Sequence, residues 1–97
     1  MMYFFLRLIP PRLTFAQDMS VEERATMQRH VAYWTDLMEK GKALVFGPVQ
    51  DPKGVYGVGV IGVENEAEQD ELVANDPGNG LNRYEFYPMR AVVPRLR

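Results

Sequence analysis

One histidine, His30, is the side chain of this sequence best suited to acid–base work. An imidazole titrates near neutral pH, so it can take a proton and return it. The competing chemistries are thinly represented. There is no cysteine, which excludes a thiol nucleophile, a disulfide and a thiolate metal site. The single serine, Ser20, opens the run Ser20-Val21-Glu22-Glu23. That is a capping box, in which the hydroxyl is committed to the first turn of a helix. One imidazole cannot build a two- or three-histidine metal site within one chain. No phosphate-binding glycine loop, dinucleotide fingerprint or nucleophile elbow occurs, and no cofactor is expected.

The elements that must position His30 can be read around it. Met1 to Leu6 is apolar and too short for a signal-peptide core, so Tyr3 to Ile9 reads as a first strand ended by Pro10-Pro11. It is apolar at odd and even positions alike, which predicts cover on both faces. Residues 10–19 read as a loop carrying Arg12, Thr14 and Phe15. The capped helix then runs to about Lys40, with Gly41 as its C-terminal stop. Its predicted buried stripe is Met27, Val31, Trp34, Leu37 and Met38, with His30 on the edge one turn before Trp34.

Lys42–Pro48 and Val55–Val63 read as a hairpin joined by Asp51-Pro52-Lys53-Gly54, whose residues suit a type I turn. Asn65-Glu66-Ala67-Glu68 reads as a second capping box, and its acidic run as a solvated first turn. That helix ends by Asn75, because Asp76-Pro77 disfavours continuation. Gly78-Asn79-Gly80 leads into a fourth strand from Leu81 to about Met89. The predicted fold class is α+β, with a ferredoxin-like β-α-β-β-α-β order in a single domain over residues 1–97. Right-handed crossovers place both helices on one face of a four-stranded antiparallel sheet. The other face keeps apolar residues that a second copy would cover, so a homodimer is expected.

Composition bounds the partners. The 97 residues carry 11 basic and 13 acidic side chains, a formal net charge of −2. Despite a few arginines near the C-terminus, this argues against a nucleic-acid footprint. No segment reads as a membrane span, and the cysteine-free composition fits a cytoplasmic protein.

The chain resembles the YCII-related (YciI-like) domain family. The resemblance rests on the opening apolar strand, Arg29-His30-Val31-Ala32-Tyr33-Trp34, Gly41, Phe46-Gly47-Pro48 and Asp76-Pro77. It implies a dimeric α+β barrel and a histidine–aspartate active site, which here would be His30 and Asp76. The activity it suggests is a cofactor-free elimination or isomerisation of a small, partly apolar molecule bound in an intersheet cavity. Where many members continue Asp-Pro with an apolar residue and a short stretch before Ala-Gly, this chain has the smaller Gly78-Asn79-Gly80. The alternative function is a non-catalytic small-molecule-binding or protein-interaction module.

Read without the resemblance, both residues have ordinary structural roles. His30 is a histidine on the flank of a core stripe, and Asp76 is a turn residue bonding local amides. Further pocket candidates are Arg7, Tyr33, Trp34, Gly47 and Pro48. Arg7 in an apolar strand needs a partner, either Glu85 across the sheet or an anionic ligand. Trp34 with Tyr33 could floor a pocket or belong to the core. Gly47-Pro48 also serves to end a strand.

Overall fold

Side-chain alternation on the first strand sets the architecture. The structure is a computed structural model describing residues 1–94; the tail arginines Arg95 and Arg97 lie outside the described residues. In β1 (Met2–Ile9) the even residues Phe4, Leu6 and Leu8 are buried, and the odd residues Tyr3, Phe5, Arg7 and Ile9 are half-buried. A period of two sends these sets to opposite faces. Within the chain the even face is covered, and the odd face stays partly open.

β1 pairs antiparallel with β3 (Tyr56–Val63) on one side and β4 (Arg83–Met89) on the other. β2 (Ala43–Val49) pairs with β3 and completes the order β2-β3-β1-β4. This is the ferredoxin-like order that the element sequence predicts. Both long helices, α2 (Val21–Glu39) and α3 (Glu66–Ala74), pack on the even face. The core there joins Phe4, Leu6, Ile61 and Val63 of the sheet to Trp34 and Leu37 of α2, with Leu72 and Val73 of α3 against it.

The first capping box forms. Ser20 Oγ accepts from the Glu23 amide at 3.1 Å, and the Glu23 carboxylate accepts from the Ser20 amide at 2.9 Å. At the far end, Gly41 takes φ +78°, which a side chain would disfavour. The buried stripe is narrower than predicted: Trp34 and Leu37 are buried, whereas Val31 and Met38 are exposed. Val31 instead lines a cavity beside Trp34, whose ring packs over Gly59 of the sheet. A Cβ at Gly59 would stand 2.5 Å from its ring, so only glycine admits the contact.

The second box forms by half. Asn65 accepts from the Glu68 amide at 2.9 Å, but Glu68 reaches past Asn65 to the Glu64 amide (2.8 Å) and to the Lys42 ammonium. β4 begins two residues later than predicted, at Arg83. Asn82 is held in the preceding turn, its amide and its side chain both donating to Gly78 O.

Residues 10–19 are more structured than a loop. They contain a short helix, α1 (Phe15–Asp18), with Phe15 buried. Arg12 fixes it. Its guanidinium donates to both Glu23 oxygens (2.8 and 2.9 Å), to Asp18 Oδ1 (2.8 Å) and to Asp18 O (2.9 Å). A planar fork of donors suits this bidentate geometry. The pairing with Arg12 and the bond from the Ser20 amide lower the Glu23 carboxyl to about 2. A depressed carboxyl contributes stability above its unfolded value and loses it as pH falls through the folded one. Arg12→Ala should therefore lower the melting temperature most at pH 6, with the deficit shrinking as pH falls from about 4.5 toward about 2. Parallel thermal melts of wild type and variant would check this, and a pH-independent deficit would contradict it.

Candidate functional site

Three elements converge on one carboxylate. Asp76 follows α3 directly, and its side chain is 0% exposed. His30 reaches it from α2, with Nδ1 at 2.8 Å from Oδ2 and 3.0 Å from Oδ1. Tyr84 reaches it from β4 and donates its hydroxyl to Oδ2. The Gly78 amide, two residues on, donates to Oδ1 at 2.8 Å. Trp34 Nε1, one helical turn beyond His30, donates to Tyr84 Oη at 2.9 Å and lies 3.4 Å from Oδ2. A buried charge requires this degree of satisfaction.

The electrostatics follow from the donors. Burial pushes the Asp76 carboxyl up, but the bonds from His30, Tyr84 and the Gly78 amide together outweigh it and hold the group below its ordinary value. It is ionised at neutral pH and can only accept. Nδ1 of His30 therefore carries a proton and donates it to this carboxylate. Burial, and then the Asp76 charge, raise the Tyr84 phenol far above its ordinary range, so that hydroxyl stays protonated.

His30 is 12% exposed and forms part of the wall of a cavity of about 530 Å³. The cavity lies between α1, α2 and the even face of the sheet. This corrects the expected intersheet position. The sheet's floor contributes Leu6, Leu8 and Gly59, and the register explains why: Leu6 pairs with Gly59 and Leu8 with Gly57, so large residues on β1 face small ones on β3. α1 supplies Phe15, Ala16 and Gln17 to the outer wall.

Of the residues singled out from the sequence, His30 and Asp76 are in contact, and His30, Trp34, Gly47 and Pro48 line the cavity. Arg7 and Tyr33 do not. Arg7 is at an odd position of β1, so it lies on the opposite face, 3.4 Å from Glu85 and stacked over Tyr56. Tyr33 is one residue off the His30–Trp34 face of α2 and donates to Leu72 O of α3 at 2.7 Å.

Sequence reasoning misses two residues. Tyr84 gives no local signal beyond an aromatic in an alternating strand. Gly78 reads only as part of a small-residue turn. A Cβ there would stand 3.0 Å from His30 Nδ1 and 3.1 Å from its Cβ and Cγ, so the bare backbone makes room for the imidazole.

Among the described residues, no group of three or more histidines or carboxylates is placed to hold a metal ion, and no helix is long and apolar enough to cross a membrane.

The model for the YCII-related domain matches residues 3–92 of the chain. No curated protein matches. Among solved structures, the chain is similar to the 5-chloro-2-hydroxyhydroquinone dehydrochlorinase TftG from Burkholderia phenoliruptrix AC1100, in complex with 2,5-dihydroxybenzoquinone. The TM-score is 0.51 and the identity 19%, over 88% of this chain and 91% of that one. At this identity the likeness establishes the fold.

Two outcomes are expected from the site's geometry. Because His30 is the sole histidine, its ring nitrogens give one unambiguous pair of ¹⁵N resonances. They should report the Nδ1–H tautomer in the wild type and lose that bias in Asp76→Ala; an unchanged tautomer would mean that the carboxylate does not orient the ring. Tyr84→Phe should cost about 1–3 kcal/mol in denaturant unfolding, because it strips a donor from a buried carboxylate and an acceptor from the indole.

Proposed function

Because the chain belongs to the YCII-related domain family, we propose that it is a small-molecule enzyme working by general acid–base catalysis, without a cofactor. The observation that carries this reading is the His30–Asp76 pair at one wall of a large apolar cavity. In it, His30 is the base. Nε2 accepts a proton from an acidic C–H or O–H of the substrate, and Asp76 stabilises the resulting imidazolium through Nδ1–H. The same proton is then returned, either to another carbon in an isomerisation or to a leaving group in an elimination. The arrangement resembles the histidine–aspartate half of a hydrolase triad, with no nucleophile beside it.

Elimination is favoured by the dehydrochlorinase named above, which shares the fold. Chlorinated hydroxyhydroquinones are therefore the first substrates to offer. With a substrate in hand, His30→Ala should reduce kcat/KM by about 10²–10⁴-fold, the usual weight of a positioned acid–base group. Asp76→Asn should reduce kcat more than it raises KM. If His30→Ala leaves turnover unchanged, the catalytic reading fails. Ligand-induced thermal stabilisation without turnover would assign the chain to non-catalytic binding instead.

The proposed working form is a cytoplasmic homodimer. Support comes from the odd face of the sheet, where Tyr3, Phe5, Val58 and Val60 surround the Arg7–Glu85 pair and Tyr87 is 53% exposed. A second sheet packed on this face would desolvate it as one patch. Multi-angle light scattering at micromolar concentration should give a mass near 22 kDa, twice the 11.1 kDa of one chain, and Phe5→Asp should shift it toward the monomer. A wild-type monomer would remove the dimer proposal and leave the site reading intact.

A further inference from the structure

Apart from His30, the walls of the cavity are built from uncharged side chains. Among the described residues that line it there is no aspartate, glutamate, lysine or arginine. Its polar groups are the amides of Gln17, Gln50 and Asn82, the phenol of Tyr84, and His30. Two of these are already engaged. Tyr84 is bonded to Asp76, and the Asn82 amide donates to Gly78 O at 3.0 Å and contacts Met27 Sδ. Among the described residues, Arg7 sits on the opposite face against Glu85, and Arg12 is held by Asp18 and Glu23.

We infer that this cavity takes an uncharged, ring-containing ligand, and rejects carboxylates and phosphates. The inference rests on the reading of this cavity as the substrate site and names the substrate class. Two physical arguments carry it. The first is desolvation. An anion entering the cavity gives up its hydration and, among the described residues that line it, meets no lysine or arginine in return. The second is the sign of the local field. The fixed charge behind His30 is the Asp76 carboxylate, whose field opposes an approaching anion. An ammonium finds no better terms, because the Asp76 oxygens are 0% exposed and already bonded. Size follows from volume. At about 530 Å³ the space is within the range that holds drug-sized ligands. Aromatic faces from Phe15, Trp34 and Phe46 favour a flat, apolar body.

The test is a matched series on the wild-type protein at pH 7: 2-naphthol, 2-naphthoate and 2-naphthylmethylammonium. Isothermal titration calorimetry reads affinity, and the indole N–H resonance of Trp34, the only tryptophan, reports binding in this cavity. The neutral phenol is expected to bind at least about tenfold more tightly than either ion and to shift the Trp34 resonance. Gln17→Lys, which puts a cation on the α1 wall, should raise naphthoate affinity toward that of the phenol. Equal or tighter binding of either ion by the wild type overturns the inference, as does failure of naphthol to bind at millimolar concentration. So does continued exclusion of naphthoate by Gln17→Lys. None of these readouts involves turnover. Selectivity without any catalysis would sink the enzymatic reading alone, and catalysis without selectivity would sink this inference alone.

Discussion

Everything at the functional end of this molecule depends on one buried carboxylate. Asp76 is removed from water and stays ionised, which is tolerable only while donors surround it. Its own turn supplies one, the Gly78 amide. The others come from elsewhere in the chain, His30 and Trp34 from α2 and Tyr84 from β4. Each donor has its own structural prerequisite. α2 must present residues four apart on one face, β4 must present Tyr84 on the even face, and Gly78 must lack a side chain. The carboxylate thus converts a tertiary arrangement into an orientational constraint on one imidazole ring.

The sheet separates two tasks by its alternation. Even positions of β1 carry Phe4, Leu6 and Leu8 toward the helices, where Gly57 and Gly59 on β3 leave the depth that Trp34 and the cavity occupy. Odd positions carry Tyr3, Phe5 and Arg7 to the open face. Moving a residue by one place therefore changes its role entirely. This is why Arg7, adjacent in sequence to two cavity residues, stands outside the cavity. The outer wall is handled differently. α1 is only four residues long and cannot be stable as an isolated helix. The Arg12 fork ties it to α2, and Phe15 anchors it inward.

Much of this was legible in the sequence, and the parts that were not share a cause. The Ser20–Glu23 box, the Asp51–Gly54 turn, the end of α3 before Pro77 and the order of the four strands are all local signals, written within a few residues. Gly54 N indeed bonds Asp51 O at 3.0 Å, closing the turn. The site's second layer is not local. Tyr84 meets Trp34 across 50 positions, and His30 meets Asp76 across 46. Nothing in either stretch predicts the other. The His30–Asp76 pairing was reached through a family resemblance, and Tyr84 and Gly78 were not reached at all. The side of the sheet that holds the cavity was misjudged for a related reason. An apolar odd face and an apolar even face look alike in sequence, and only packing shows which one encloses space. The half-formed box at Asn65 shows the same competition on a smaller scale, because Lys42, 26 residues from Glu68, diverts that carboxylate from its local partner.

The chemistry open to the site is narrowed by what its proton carriers are free to do. Tyr84 cannot serve as a base, because its phenol is pushed up by burial and its hydroxyl is committed to Asp76. Asp76 cannot reach a ligand. The cavity wall presents no serine, threonine, cysteine or lysine to form a covalent intermediate. On the proposed reading, His30 Nε2 is then left to carry protons in both directions. A single site of this kind suits reactions in which one proton leaves and one returns at nearly the same place. Isomerisations and eliminations have that form. Hydrolysis by a covalent intermediate does not, because it needs a nucleophile beside the base. The uncharged walls point the same way. A proton abstraction that leaves a delocalised anion on a ring can place the imidazolium of His30 as its counter-charge, supported in turn by Asp76. That leaves the cavity with no need for a cation of its own.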